Sequence, residues 1–162
     1  MPEAQADRFI MKVLVHYPKM HEEQMIIRQN VLGTGFAPVK QVVSVQELSN
    51  AKDLVRQVYM DEKIEQYILD IVFATRNPEK YKLEKLKALI SYGASPRGSI
   101  NLALAAKSQA FLSKRGFVVP EDVRSICYDV LRHRIGLTYE AEVENINVEG
   151  VIEEVLKQIN VP

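Results

Sequence analysis

The sequence predicts a mainly α protein, a small bundle of roughly four to six packed helices with one or two short β segments. Three observations predict it. Apolar residues recur at i, i+3, i+4 and i+7 through most of the chain. Residues suited to helix starts stand just ahead of those stripes. The β-branched apolar runs are few and short. With 162 residues, 47% of them apolar and 26% charged, the chain is long enough to bury a core.

Phe9 to Val15 is an apolar, β-branched run stopped by Tyr17-Pro18 and reads as a buried strand. No partner strand lies nearby, so it is expected either to join a sheet whose other strands are absent from the chain or to be disordered. Residues 19 to 32 carry Met20, Met25, Ile26 and Leu32, with Gly33 as a C-cap. Thr34 to Val43 reads as a loop. Ser44 and Glu47 have the spacing of a capping box, and Leu48, Ala51, Leu54, Val55 and Val58 follow on one stripe. Asp61 caps the next helix, whose apolar face is Ile64, Tyr67, Ile68, Ile71 and Val72 and which Asn77-Pro78 ends.

A Lys-rich amphipathic stretch with Leu83, Leu86, Leu89 and Ile90 leads to Gly93. The helix that opens at Pro96 is expected to point Ile100, Ala103, Leu104, Ala110 and Phe111 inward and to close at Gly116. Phe117 to Val119 suffices only for a bridging strand. Pro120-Glu121-Asp122 opens a helix with Val123, Ile126, Cys127, Val130 and Leu131 buried. Gly136 breaks the pattern, and Gly150 to Ile159 forms a last short helix. No internal repeat is visible.

Equal numbers of acidic and basic residues, 21 of each, give no global field to attract nucleic acid. Charge is unevenly spread. Lys and Arg cluster between Arg76 and Arg134 and Glu dominates after Glu140, which reads as two solvated faces. Cys127 is the only cysteine, so no intramolecular disulfide framework exists, and a reducing, cytoplasmic setting is expected. No apolar run approaches the ~20 residues that span a bilayer, and the N-terminus lacks the regions of a signal peptide. Neither membrane insertion nor secretion is expected.

The most informative stretch is Gly93-Ala94-Ser95-Pro96-Arg97. Ser95 is a suitable N-cap and Pro96 a suitable first helical residue, which places Arg97 in the first turn of a long helix. That is the wrong end for a cation, because the turn already carries unpaired N–H groups and the positive end of the macrodipole. An anion reverses the sign, so a phosphate would be favoured by the dipole, the N–H groups and the guanidinium together. An unpartnered surface Arg is the plain alternative. Arg8 precedes the expected strand and can project from a sheet edge toward a neighbouring subunit, or pair with Asp7 or Glu3.

No phosphate-cradling Gly-rich loop and no nucleophile elbow are present. His21-Glu22-Glu23 lacks the second His of a zinc helix, so no metal site is expected. His133, between Arg132 and Arg134, reads as a packing or hydrogen-bonding residue, and Cys127 as a small core residue.

In order along the chain, Pro2 to Phe9, Tyr17-Pro18, Thr75-Arg76, Gly93 to Arg97, Pro120 to Val123, Val130 to Ile135 and Tyr139 to Glu142 resemble the C-terminal part of MoxR-family AAA+ ATPases. The resemblance covers nearly the whole chain. It implies that residues 1–18 are the C-terminal edge of the AAA+ core, with the arginine-finger segment and a leftover core strand, and that residues 19–162 are the helical lid. It implies Arg8 as the arginine finger, reaching the γ-phosphate on the adjacent subunit, and Arg97 as the second sensor, with Ser95 and Pro96 shaping the same nucleotide-binding turn. Both roles suit Arg rather than Lys, because a permanently charged fork stabilises charge spread over phosphoryl oxygens.

The resemblance further implies a parent that binds and hydrolyses ATP with Mg²⁺ as a ring, expected to be hexameric, to remodel or mature client proteins. Von Willebrand A-type domains are among the candidate clients, and neither nucleic acid nor membrane is a partner. This chain, lacking the phosphate loop, is expected to be inactive alone and to hold no nucleotide tightly. Met1 stands where the family usually has Leu, which implies a start inside a longer protein, and Val119 stands where Thr or Ser often caps. Two rival readings are a stand-alone helical interaction module and a helix-turn-helix DNA binder using Pro120 to Arg134.

Overall fold

Local capping chemistry sets most of the helix starts in the computed structural model, which describes residues 3–33 and 38–162. Among these residues the helices are α1 (Glu3–Ala6), α2 (Met20–Val31), α3 (Val45–Gln57), α4 (Glu62–Arg76), α5 (Glu84–Leu89), α6 (Pro96–Leu112), α7 (Pro120–Leu131), α8 (Tyr139–Val143) and α9 (Val148–Gln158). A 3₁₀ turn spans Pro78–Tyr81, and the strands are β1 (Ile90–Tyr92) and β2 (Gly136–Leu137). The architecture is thus the expected helical bundle with a minimal sheet.

The predicted caps form. Ser44 Oγ accepts the Glu47 N–H at 3.2 Å while a Glu47 carboxylate oxygen takes the Ser44 N–H at 2.7 Å, closing the box of α3. Asp61 accepts the Lys63 N–H at 2.9 Å at the head of α4. Val119 supplies no side-chain cap to α7, yet Asp122 takes its N–H at 2.9 Å and pairs with Arg115. Burial raises the Asp122 pKa, but the Arg115 bond and charge and the Val119 N–H outweigh it, and the carboxyl stays below its usual range.

The core is where α4, α6, α7 and α9 meet. Ile64, Tyr67, Ile68, Ile71 and Val72 of α4 are buried as their spacing predicts, as are Val123, Ile126, Cys127, Val130 and Leu131 of α7. Burial pushes the Cys127 thiol up to about 12, consistent with an inert core residue. α6 lies most extensively along α7, and α9 closes the far side with Val151, Ile152, Val155 and Leu156.

Several expectations are corrected. The 9–15 run takes no strand; residues 11–19 are irregular, and the Lys12 N–H donates to the Asp129 carbonyl of α7 at 2.8 Å. An extended run without a neighbouring strand has nothing to pair with. On α6, Ala110 is buried as expected and Ala103 and Phe111 pack half-buried against the core, but the rest of the inward face is Gly98, Asn101, Leu102, Ala105 and Ala106, whereas Ile100 and Leu104 are 58% and 46% exposed. Close packing on α7 selects small residues for the contact and turns the larger ones outward. α6 also stops at Leu112, with Lys114 rather than Gly116 in the left-handed region at φ 58°.

The Lys-rich stretch splits into the 3₁₀ turn, α5 and β1, because Ile90 and Tyr92 pair antiparallel with Leu137 and Gly136. Gly136 is therefore a strand residue, and a Cβ there would overlap the Tyr92 ring. Phe117 does form only a bridge, parallel to Tyr59. The helix 20–31 exists and Gly33 ends it at φ 66°, but Met20, Met25 and Ile26 remain exposed. The loop expected over 34–43 falls partly on residues 34–37, outside the described residues.

Candidate functional site

The turn before α6 is built against the end of α4. Gly93 lies so close to Thr75 that an added Cβ would sit 2.6 Å from the Thr75 carbonyl carbon and 2.8 Å from the Arg76 nitrogen. Both are backbone atoms, which have little room to move. Gly93→Ala is therefore expected to destabilise the protein by about 1–3 kcal/mol, read as a lower thermal midpoint; an unchanged midpoint would show that the turn can shift. Thr75 Oγ1 receives the Ala94 N–H at 3.0 Å, and Arg76 Nε donates to the Ala94 carbonyl. The Arg76 guanidinium also lies 4.9 Å from the Phe73 ring centroid.

With Ala94 anchored, Ser95 adopts φ −69° and ψ 171° and caps α6, its Oγ accepting the Arg97 N–H at 3.2 Å. Pro96 occupies the first turn, where its missing N–H costs nothing. Arg97 thus emerges at the head of a 17-residue helix with its side chain 57% exposed. The sequence places these three residues correctly.

An anion does meet this cluster, and it belongs to the chain itself. Asp7 Oδ1 and Oδ2 both lie 2.9 Å from Ser95 Oγ, which donates to them, and Oδ2 accepts from Arg97 Nη1 at 3.2 Å. Arg134 Nε donates to the same carboxylate at 3.1 Å. Asp7 is 18% exposed; burial raises its pKa, but the bonds from Ser95 and Arg97 and the Arg134 charge prevail and hold it below the usual value. The carboxylate also offsets the unfavourable pairing of Arg97 with the helix dipole.

Arg134 is the hub. Its side chain has no exposure, and its guanidinium donates to the carbonyls of Asp7, Phe9, Ile10 and Val130 as well as to the Asp7 carboxylate. Burial lowers its pKa against the opposing pull of Asp7. His133 adds a contact between Nε2 and the Phe9 carbonyl at 3.0 Å, and burial lowers its pKa, so it acts as a hydrogen-bonding residue. Arg132 pairs with Asp129 and Glu149, both at 2.7 Å. The basic end of α7 is thereby neutralised internally.

Arg8 follows Asp7 and is exposed, with no side-chain partner among the described residues. The segment that presents it is held down on both sides, by Asp7 and by the Phe9 and Ile10 carbonyls. Sequence reasoning missed Asp7 as the partner of Arg97, and it missed Arg134 and Arg76. A signal for Arg134 existed: it extends the buried spacing of Cys127, Val130 and Leu131 by three residues. A cation on an apolar stripe needs a buried anion.

Among the described residues, no group of three or more His, Cys, Asp or Glu could hold a metal ion. Arg97 keeps more than half of its side-chain surface open, and Arg76 Nη2 is buried without a hydrogen-bond partner among the described residues. Among those residues no helix is long and apolar enough to cross a membrane.

Residues 85–155 match the family described as the AAA lid domain. The whole chain aligns with Chaperone MoxR1 of Mycobacterium tuberculosis at 38% identity, covering 42% of that protein. It aligns with Protein MoxR of Paracoccus denitrificans at 31% identity, covering 51% of it. A solved structure of a candidate ATPase from Cytophaga hutchinsonii matches the whole chain with a TM-score of 0.93 and 40% identity, covering 49% of that chain. The chain spans about half the length of these relatives, or less.

Proposed function

This chain is a homologue of the MoxR proteins along its whole length and contains an AAA lid domain, and from that premise we propose that it is the lid-bearing part of a ring-forming ATPase. In this reading residues 1–18 end the ATPase core and residues 19–162 form the lid. Arg97 contacts the phosphates of the nucleotide bound by its own subunit, on the turn shaped by Ser95 and Pro96. Arg8 reaches the nucleotide of the neighbouring subunit. The phosphate loop and the magnesium ligands fall to other parts of the protein, so this chain alone is expected to turn over no ATP.

One observation carries the reading: a guanidinium stands 57% exposed in the first turn of α6, an end that favours anions. A lysine there would offer a point charge, whereas the fork can hold two phosphoryl oxygens. The ring is expected to be hexameric and cytoplasmic and to work on client proteins, with von Willebrand A-type domains among the candidates. The name of the mycobacterial relative supports a chaperone-like role.

The test is Arg97→Ala in the full-length protein. Loss of one charge-assisted contact is expected to weaken nucleotide affinity about tenfold, measured by titration with ADP and a non-hydrolysable ATP analogue. Unchanged affinity would return Arg97 to ordinary surface charge.

A further inference from the structure

Arg97 already has an anionic partner, and that partner is the residue before Arg8. We propose that Asp7 is an internal competitor for Arg97: its carboxylate holds the guanidinium when no phosphate does, and nucleotide must draw Arg97 away from it. The inference rests on the reading of Arg97 as a phosphate contact.

The strengths of the bonds around Asp7 are unequal. Arg97 meets it through a single nitrogen at 3.2 Å and more than half of its side chain is in solvent, so its release breaks only one solvent-exposed ion pair. Asp7 itself cannot easily follow. Both its oxygens are engaged by Ser95, and one of them also by the fully buried Arg134. Arg134 grips the Asp7, Phe9 and Ile10 carbonyls in addition, so the segment stays seated when Arg97 departs.

Charge decides the direction of the effect. Two guanidinium groups face one carboxylate, leaving one net positive charge for an incoming phosphate. Drawing Arg97 to that phosphate gives up its bond to the Asp7 carboxylate, and this loss is subtracted from the binding free energy. Asp7 therefore lowers nucleotide affinity while it keeps Arg97 oriented. Because Asp7 and Arg8 are consecutive, the exchange takes place one residue from the side chain proposed to serve the neighbouring subunit. Asp7 is a positioning residue, since it acts through Arg97.

The experiment is a double-mutant cycle on nucleotide affinity in the full-length protein, again with ADP and a non-hydrolysable ATP analogue. Asp7→Asn keeps the shape and can still accept from Ser95 and Arg134. It is expected to tighten binding about threefold to tenfold, and to change nothing in an Arg97→Ala background. Asp7→Glu, which retains the charge, is expected not to tighten it. Should thermal melting show Asp7→Asn unfolded, Asp7→Ser carries the same expectation. Unchanged or weaker binding by the neutral variants overturns the proposal, as does equal tightening in the Arg97→Ala background. If Arg97→Ala weakens binding but Asp7→Asn does not tighten it, the competition alone fails. If Arg97→Ala itself has no effect, the phosphate reading fails and takes the competition with it.

Discussion

Arg8→Ala in the full-length protein is expected to lower ATP turnover by about 10³ to 10⁵ while leaving nucleotide affinity nearly unchanged. In the role proposed for Arg8, an arginine supplied across a subunit boundary would meet charge that develops in the transition state, whereas ground-state binding would be made by groups on the nucleotide's own subunit. Arg8 has the features the role needs. It is exposed and has no side-chain partner among the described residues, and the backbone that carries it is pinned by Arg134. Steady-state kinetics would separate the two effects. Arg8→Lys should recover little, because the ammonium cannot bridge two oxygens. A loss confined to KM, or a loss below tenfold in kcat, would count against a transition-state role.

The second large effect concerns stability. Arg134→Ala is expected to cost about 3–5 kcal/mol, the range for breaking a buried ion pair by removing one partner. Asp7 would keep its burial and lose its innermost counter-charge, and the carbonyls of Asp7, Phe9, Ile10 and Val130 would lose a donor. At about 2–4 °C per kcal/mol for a chain of this size, the melting temperature should fall by roughly 6–20 °C. Calorimetry or a denaturant titration would measure it. Arg134→Lys should rescue only part, since one ammonium cannot serve five acceptors. A change under about 1 kcal/mol would mean that water replaces the guanidinium, and that the N-terminal segment is not anchored by it.

These outcomes are separable. Arg134 holds the Arg8 segment in place, so its loss should lower turnover together with stability. Arg8→Ala should leave the thermal midpoint unchanged, because an exposed side chain without a partner adds little to folding.

How much could be read in advance varied with the reach of the interaction. The starts of α3, α4, α6 and α7 were legible, because Ser44, Asp61, Ser95 and Pro120 act within three or four residues of themselves. The buried faces of α4 and α7 were legible for a similar reason: each has large apolar residues on one side and charged ones on the other. α6 was misread. Ile100 and Leu104 are more apolar than Ala105 or Gly98, yet close approach to α7 rewards smallness over hydrophobicity. The strand expected at 9–15 failed on the same distinction, since strand formation depends on a neighbour and not on composition.

By itself the sequence determined that this chain is a helical bundle with an arginine in the first turn of a long helix, since caps, prolines and periodicity act over a few residues. Only the tertiary structure decided what that arginine meets. Asp7 stands 90 residues from Arg97 and 127 from Arg134, and no local pattern encodes a partner at that separation. The pairing exists because docking the N-terminal segment on α7 brings a buried guanidinium and a carboxylate together, and neither group can be buried without a counter-charge.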